Sequence, residues 1–344
     1  MRNGRPKPTS IKDIARMASV SHSTVSRALQ NSSLINSKTA ERIQRIARQS
    51  GYRVSAVARG LVTQKTQTIG VVVTAIADPF VSEVVSGIEE AANSHGYSVF
   101  LAQSNADPDQ EIKVVHSFAE RRVDGIVVTS SRVGSLHLQL LAKMNVPIVL
   151  VNNQRAGEAV HCVMIQNVEA GRQATQHLIH LGHRRIAYIG DRSGDQSDTE
   201  RLAGYREALK QAGLTFLPEL VVRGDGKPEA GMAAMRTLLG LPQPPTAVFC
   251  YNDMTALGAL RCLHSDGLHV PQDISLIGFD DLFIASYTQP PLTTVRQPMR
   301  QMGLLAAEIL LKLMSGQGSA DTTEVPAELI VRGSTAPLDG TPIS

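Results

Sequence analysis

The chain has 344 residues, 42% of them hydrophobic and 4% aromatic, with no tryptophan. That length suits two or three domains with aliphatic cores, and no apolar run approaches the roughly 20 residues of a membrane-spanning helix. The net charge of +3 hides an asymmetry: residues 1–65 hold 13 Lys or Arg against two acids, Asp13 and Glu41, a net of +11, whereas the remainder holds 21 basic and 29 acidic residues, a net of −8. One end of the chain is built to meet a polyanion and the other is not.

Residues 1–9 (MRNGRPKPT) read as a disordered basic arm interrupted by Pro and Gly. No apolar segment follows it, so a secretory signal is not expected and the chain is placed in the cytoplasm. Ser10 then reads as a helix N-cap with Asp13 as its capping-box acid, and Ile11, Ile14, Ala15 and Ala18 line one face of a short helix. A break at MASV precedes Ser21, a second N-cap. The stretch SVSHSTVSRALQNSS, Ser19 to Ser33, holds seven Ser or Thr in fifteen residues, a density that helices usually avoid. Yet Val20, Val25, Ala28 and Leu29 can share one buried face. A third helix starts near Ser37, turns Ile43, Ile46 and Ala47 inward, and stops at Gly51. These three helices define a compact basic unit, residues 10–54. A polar tether, residues 55–67, follows, with one short helix expected from Ala56 to Val62.

From Ile69 the pattern changes. IGVVV, VFLA, GIVVTS, PIVLV, IAYIG, LVV, AVFCY and ISLIG are short β-branched runs bounded by Gly, Pro, Asp and Asn, mostly separated by amphipathic helical stretches. Such alternation indicates an α/β fold with parallel sheets. The region also repeats itself: Ile69 and Ile186, Gly87 and Gly204, and Gly96 and Gly213 are each 117 residues apart. Two similar halves imply two lobes with a cleft between them, where ligands bind beyond the carboxyl ends of the strands. Cys162, Cys250 and Cys262 lie in or beside apolar runs and read as buried free thiols.

Two short helices joined by a tight turn match a helix-turn-helix, whose second helix enters the DNA major groove by its N-terminal end. Short hydroxyl side chains allow close approach there, so Ser10, Ser21 and Thr24 suit phosphate or base-edge contacts. His22 and Ser23 can reach base edges, Arg27 one turn later suits a bidentate guanine contact, and Asn31 and Lys38 complete the candidate DNA surface. Elsewhere the signals are weaker. His177, His180 and His183 have a three-residue spacing, but no metal site and no cofactor is expected. GDGKPEAG lacks the full phosphate-loop pattern, and spacing alone assembles no catalytic set.

SIKDIARMASVSHSTVSRALQN resembles the opening of lactose-repressor-type transcription regulators, and SAVARGL resembles their hinge helix. LIHLGHRRIAYIG, RLAGYREAL, YNDMTALGAL, VPQDISLIGFDD and PPLTTVRQP resemble further family signatures in the expected order, so the likeness spans nearly all of residues 10–335. Ser19 departs from the Gly or Asn usual in the helix-turn-helix turn, where φ is positive. The C-terminal APLDGTPIS lacks the leucine-heptad extension of the tetrameric lactose repressor, so a homodimer is expected.

The resemblance implies an all-α helix-turn-helix headpiece, a hinge whose Leu61 wedges into the minor groove of a palindromic double-stranded operator, and a two-lobed periplasmic-binding-protein-like effector domain over residues 68–340. Its first lobe would span about 68–165 and 292–322, and its second about 166–291 and 323–340. Carried over residue by residue, it implies a cleft formed by Phe80, Asn152, Asp195, Arg201, Asn252, Asp280 and Gln297. Carboxylate, guanidinium and amide groups suit the paired hydroxyls of a sugar effector. Asp195 stands where purine-binding members carry a basic residue, which disfavours a purine corepressor. Asp281 reads equally as a cleft residue or a structural cap. A periplasmic-type sugar-binding protein would share the body but need a signal peptide and no headpiece. A sugar-processing enzyme would turn its ligand over.

Overall fold

The computed structural model describes residues 9–29, 31–52, 65–130, 144–152, 160–192, 196–318 and 321–338. The arm before Thr9, the expected hinge helix with Leu61, and Asp195 lie outside the described residues. Contacts divide the chain between Gln67 and Thr68 into two units.

The first unit holds α1 (Ile11–Met17), α2 (His22–Leu29) and α3 (Ser37–Gln49). Ser10 and Asp13 form the reciprocal capping box that their spacing predicts: the Asp13 amide donates to Ser10 Oγ at 3.3 Å and the Ser10 amide to Asp13 Oδ2 at 3.0 Å. The Thr24 amide donates to Ser21 Oγ at 3.2 Å, and the Lys38 amide to Asn36 Oδ1 at 3.0 Å. Each cap satisfies a donor that the first helical turn leaves open. Helices this short are marginal alone. They share a core in which Ile14, Val25, Ala28 and Ile43 have no exposed surface. From α3, Arg42 Nη2 donates to the Ala18 carbonyl at 2.9 Å and Gln44 Nε2 to the Ala28 carbonyl at 3.3 Å, closing the carboxyl ends of α1 and α2. Ser19, in the turn between them, has φ 49°, a left-handed conformation that costs a side-chain-bearing residue about 1–2 kcal/mol.

The second unit contains two six-stranded sheets. The first is built from β1 (Thr68–Val73), β2 (Ser98–Gln103), β3 (Gly125–Thr129), β4 (Ile148–Val151), β5 (His161–Ile165) and β11 (Thr322–Val325), in the order β11-β5-β4-β3-β1-β2 and parallel throughout. The second is built from β6 (Ile186–Asp191), β7 (Val221–Gly224), β8 (Ala247–Cys250), β9 (Ser275–Asp280), β10 (Thr293–Arg296) and β12 (Glu328–Ile330), in the order β12-β10-β9-β8-β6-β7. Only β12 runs antiparallel to its neighbour. Every β-branched run read from the sequence is a strand.

Among the described residues the α-helices of this unit are α4 (Pro79–Ser94), α5 (Pro108–Glu120), α6 (Asn167–His180), α7 (Gln196–Gln211), α8 (Pro228–Leu239), α9 (Asp253–Ser265) and α10 (Met299–Met314). The internal repeat has a packing cause. A Cβ on Gly87 would lie 2.1 Å from the Arg300 carbonyl oxygen, and one on Gly204 would lie 2.0 Å from that of Val168. The two glycines thus let α4 approach α10, and α7 approach α6, in the same way.

Two boundaries differ from expectation. The sequence reading places residues 292–296 in the first lobe, but β10 pairs with β9 in the second sheet. The chain returns to the first lobe only after Arg296, where α10 packs on α4, β3, β4 and β5. At the far end, β11 keeps residues up to Val325 in the first lobe, past the expected 322. Strand neighbours are chosen by burial across the sheet, so local sequence carries little of this information. Among the described residues no helix is long and apolar enough to cross a membrane.

Candidate functional site

In the headpiece, Ser10, Ser21, His22, Ser23, Arg27, Asn31 and Lys38 are exposed, while Thr24 is half-buried. His22 and Ser23 open α2, where its unpaired backbone N–H groups gather. The Ser21 hydroxyl lies 2.8 Å from Ser23 Oγ and 2.9 Å from Thr24 Oγ1, so the three hydroxyls form one cluster at that helix end. Asn31 adds a second role: with φ 55°, it reverses the chain after α2, and its Oδ1 accepts from Gln44 Nε2 at 2.9 Å. A helix end rich in small hydroxyls on a cationic unit can receive phosphate oxygens and base edges.

In the second unit a cleft of about 660 Å³ opens at the carboxyl ends of the strands of both lobes. Phe80, Asn152, Arg201, Asn252, Asp280 and Gln297, six residues inferred from sequence resemblance, all line it. Phe80 enters from the start of α4, Asn152 follows β4, and Asp280 ends β9. Asn252 caps α9 by accepting from the Thr255 amide at 2.8 Å, and its Nδ2 donates to the Gly226 carbonyl at 3.0 Å. It is therefore a scaffold for the cleft as well as part of its wall.

Arg201 is 1% exposed. Its Nε donates to Asn167 Oδ1 at 3.0 Å and its Nη1 to the Tyr251 carbonyl at 2.7 Å, while its Cζ lies 3.6 Å from the centre of the Phe279 ring. Asp280, with φ 114°, accepts from Gln297 Nε2 at 2.6 Å. Burial pushes the Asp280 carboxyl well above the usual carboxylate range; Arg201 opposes that shift, and the nearby Asp253 and Asp78 carboxylates reinforce it. Burial likewise raises Asp253, against hydrogen bonds from Thr294 and the Leu282 amide. Asn167 opens α6 directly after the β5 crossover, and Gln297 lies in the β10–α10 crossover. Arg201 and Asp280 are therefore each tied to a segment that joins the lobes.

Other cleft residues were not read from the sequence. Asp78 caps α4 by accepting from the Phe80 amide at 3.0 Å, and Asp191 ends β6. Asp191 is held through its backbone: its amide donates to Asp198 Oδ1 and its carbonyl accepts from Arg223 Nη1, both at 2.9 Å, while Arg223 also pairs with the buried Asp198. The rule that ligands sit at strand carboxyl ends would have flagged Asp191 and Tyr251. Lys227, from the discounted GDGKPEAG loop, also lines the cleft.

Asp281 is neither cleft wall nor helix cap. It pairs with Arg296 at 2.7 Å and Arg332 at 2.6 Å, fastening β10 to the segment after β12. The three histidines do not converge. His177 meets Thr335 at 3.0 Å, His183 is buried between Thr246 and Ser275, and His180 is exposed. The three cysteines are buried thiols outside any disulfide.

Residues 66–333 match the model of the family described as periplasmic binding proteins and sugar binding domain of LacI family, and residues 10–55 match that of the bacterial regulatory proteins of the lacI family. The chain is 38% identical to the HTH-type transcriptional repressor CytR of Escherichia coli (strain K12), over 95% of this chain and 96% of the relative. It is 34% identical to the HTH-type transcriptional repressor PurR of Actinobacillus pleuropneumoniae serotype 3 (strain JL03), over 96% and 99%. Among solved structures, the Lac repressor dimer bound to operator and the anti-inducer ONPF superposes with a TM-score of 0.89 at 29% identity, covering 96% of this chain and 100% of that one. The transcriptional regulator CelR–cellobiose complex gives 0.73 at 33% identity, covering 95% and 99%. With both its helical headpiece and its two-lobed body matched in order, the chain belongs to the LacI family of bacterial regulatory proteins.

Proposed function

We propose that this protein is a transcriptional repressor that binds a double-stranded, palindromic operator as a homodimer and is controlled by a small polar effector, a sugar or sugar derivative, held in the cleft. The observation that carries the proposal is the wiring of the cleft. Arg201 and Asp280 are bonded to Asn167 and Gln297, each on a crossover between the lobes. A ligand gripping these two residues biases the lobes toward one relative position, and that differential contact is what allosteric control requires. In the dimer, lobe closure changes how the two headpieces fit the two half-sites. The cleft is assigned binding and no turnover, and the protein acts in the cytoplasm, where its operator is.

At the operator, the N-termini of α1 and α2, with Ser10 and Ser21, take phosphates. His22, Ser23 and Arg27 read base edges, Thr24 and Lys38 contact the backbone, and Asn31 supports the turn behind them. Leu61 is assigned to the minor groove, where an apolar wedge kinks the duplex.

The test uses an operator selected from random duplexes and an effector found by thermal-shift screening of sugars and their derivatives. Asp280→Ala should keep operator affinity without effector and lose the effector's influence, because the ligand group it held loses its hydrogen-bond partner, at a cost of roughly 1–3 kcal/mol. A variant that responds at the normal effector concentration refutes the cleft assignment.

A further inference from the structure

The charge and hydrogen-bond inventory of the cleft narrows the effector class; this step rests on the reading of the cleft as the effector site. Among the described residues its wall carries four carboxylates, Asp78, Asp191, Asp225 and Asp280, against two cations, Arg201 and Lys227. Neither cation stands alone against that charge. Arg201, which donates to Asn167 and Tyr251 and stacks on Phe279, has its charge opposed by the nearby Asp280. Lys227 is exposed and follows Asp225, which pairs with Arg192 at 2.9 Å. The carboxylates, by contrast, are built in: Asp280 is 5% and Asp191 3% exposed, and the Asp191 backbone is clamped by Asp198 and Arg223.

A second, independent observation points the same way. Gln297 is 2% exposed and lines the cleft. Its Nε2 is committed to Asp280, and its buried Oε1, an acceptor, has no hydrogen-bond partner among the described residues. A buried acceptor without a donor is costly, and a ligand hydroxyl or amine would satisfy it. A phosphate or carboxylate oxygen would not.

We propose that the cleft takes an uncharged or positively charged ligand rich in hydrogen-bond donors, such as a free sugar, an amino sugar or a nucleoside, and rejects the phosphorylated or carboxylated forms of the same molecules. Selectivity of this kind comes as much from repulsion of the wrong form as from attraction of the right one. An added anion meets a wall that already disfavours negative charge: at Asp280 burial first, and then the Asp253 and Asp78 carboxylates, favour the protonated form.

The experiment is calorimetric titration of the full-length protein at neutral pH with matched sets: glucose, glucosamine, gluconate and glucose 6-phosphate; ribose and ribose 5-phosphate; uridine and adenosine with their 5′-monophosphates. Within any set that binds, the uncharged or amine-bearing member should bind at least about tenfold tighter than its anionic partner, equal to about 1.4 kcal/mol. Asp191→Asn and Asp78→Asn should each narrow that gap by admitting the anionic member. An anionic member that binds as tightly as its neutral partner, or tighter, overturns the charge assignment while leaving the cleft as the effector site. Absence of binding by every member of every set, and by every compound of the thermal-shift screen, overturns the effector reading beneath it.

Discussion

Replacing Gly204 with alanine tests the packing that positions Arg201. In an exposed helix interior, Gly→Ala stabilises by about 1 kcal/mol through helix propensity. At Gly204 the new Cβ would stand 2.0 Å from the Val168 carbonyl oxygen and 2.6 Å from the Arg172 amide nitrogen. Ordinary contact begins near 3.4 Å, so α6 and α7 must separate by more than 1 Å. Overpacking typically costs about 1–3 kcal/mol, and here the obstacle is backbone, which cannot rotate away. The net expectation is destabilisation by about 2 kcal/mol, a fall in Tm of roughly 4–8 °C for a body of this size. Because α7 carries Arg201 and α6 begins with its partner Asn167, the same separation stretches that 3.0 Å hydrogen bond and should weaken effector binding. Gly87→Ala makes an equivalent clash, 2.1 Å from the Arg300 carbonyl oxygen, between α4 and α10. It should match the loss of stability with a smaller loss of effector affinity. Thermal melts and effector titrations of both variants provide the comparison, and a Gly204→Ala protein that melts at or above the parent temperature would refute the close approach of α6 and α7.

Operator binding should depend steeply on salt: if a dimer neutralises about 8 phosphates, log K against log salt should slope near −7, and a flat response removes the DNA reading. Exchanging His22 or Ser23 should redirect operator preference by about 1–3 kcal/mol per altered base contact, whereas Lys38→Ala should weaken all sequences alike; equal losses on every operator for both kinds of variant would show that α2 does not read bases there. Burial holds the imidazoles of His177 and His183 below their ordinary pKa of 6.5. Below that pH the unfolded chain binds more protons than the folded one, so their contribution is complete above 6.5 and is lost on acidification, by about 1.4 kcal/mol per unit of lowering. His183→Gln should flatten the fall in Tm below pH 6.5, and an unchanged acid slope would remove His183 as its source.

Much of the chemistry is legible in the sequence. Ser10 with Asp13, Ser21, and Gly51 announced the headpiece helices because a cap is satisfied within about four residues of itself. The 117-residue spacing of Gly87 and Gly204 announced two similar lobes because each glycine answers a steric demand that recurs in each half. The six described cleft residues came from resemblance, which transmits positions without explaining them.

What only the tertiary structure decided were partnerships between distant residues. Nothing local distinguishes Asp280, whose carboxylate faces the cleft, from Asp281, which is fastened to Arg296 and Arg332. Nothing local assigns β10 to the second sheet, nor shows that Asp198 and Arg223 clamp Asp191 into the cleft wall. Caps and hydrophobic periodicity are written in neighbouring residues, so the sequence by itself determined the helices, the parallel sheets and the basic headpiece. Hydrophobic burial is non-directional, and the folded chain alone selects which of several similar carboxylates meets a guanidinium and which is left to meet a ligand.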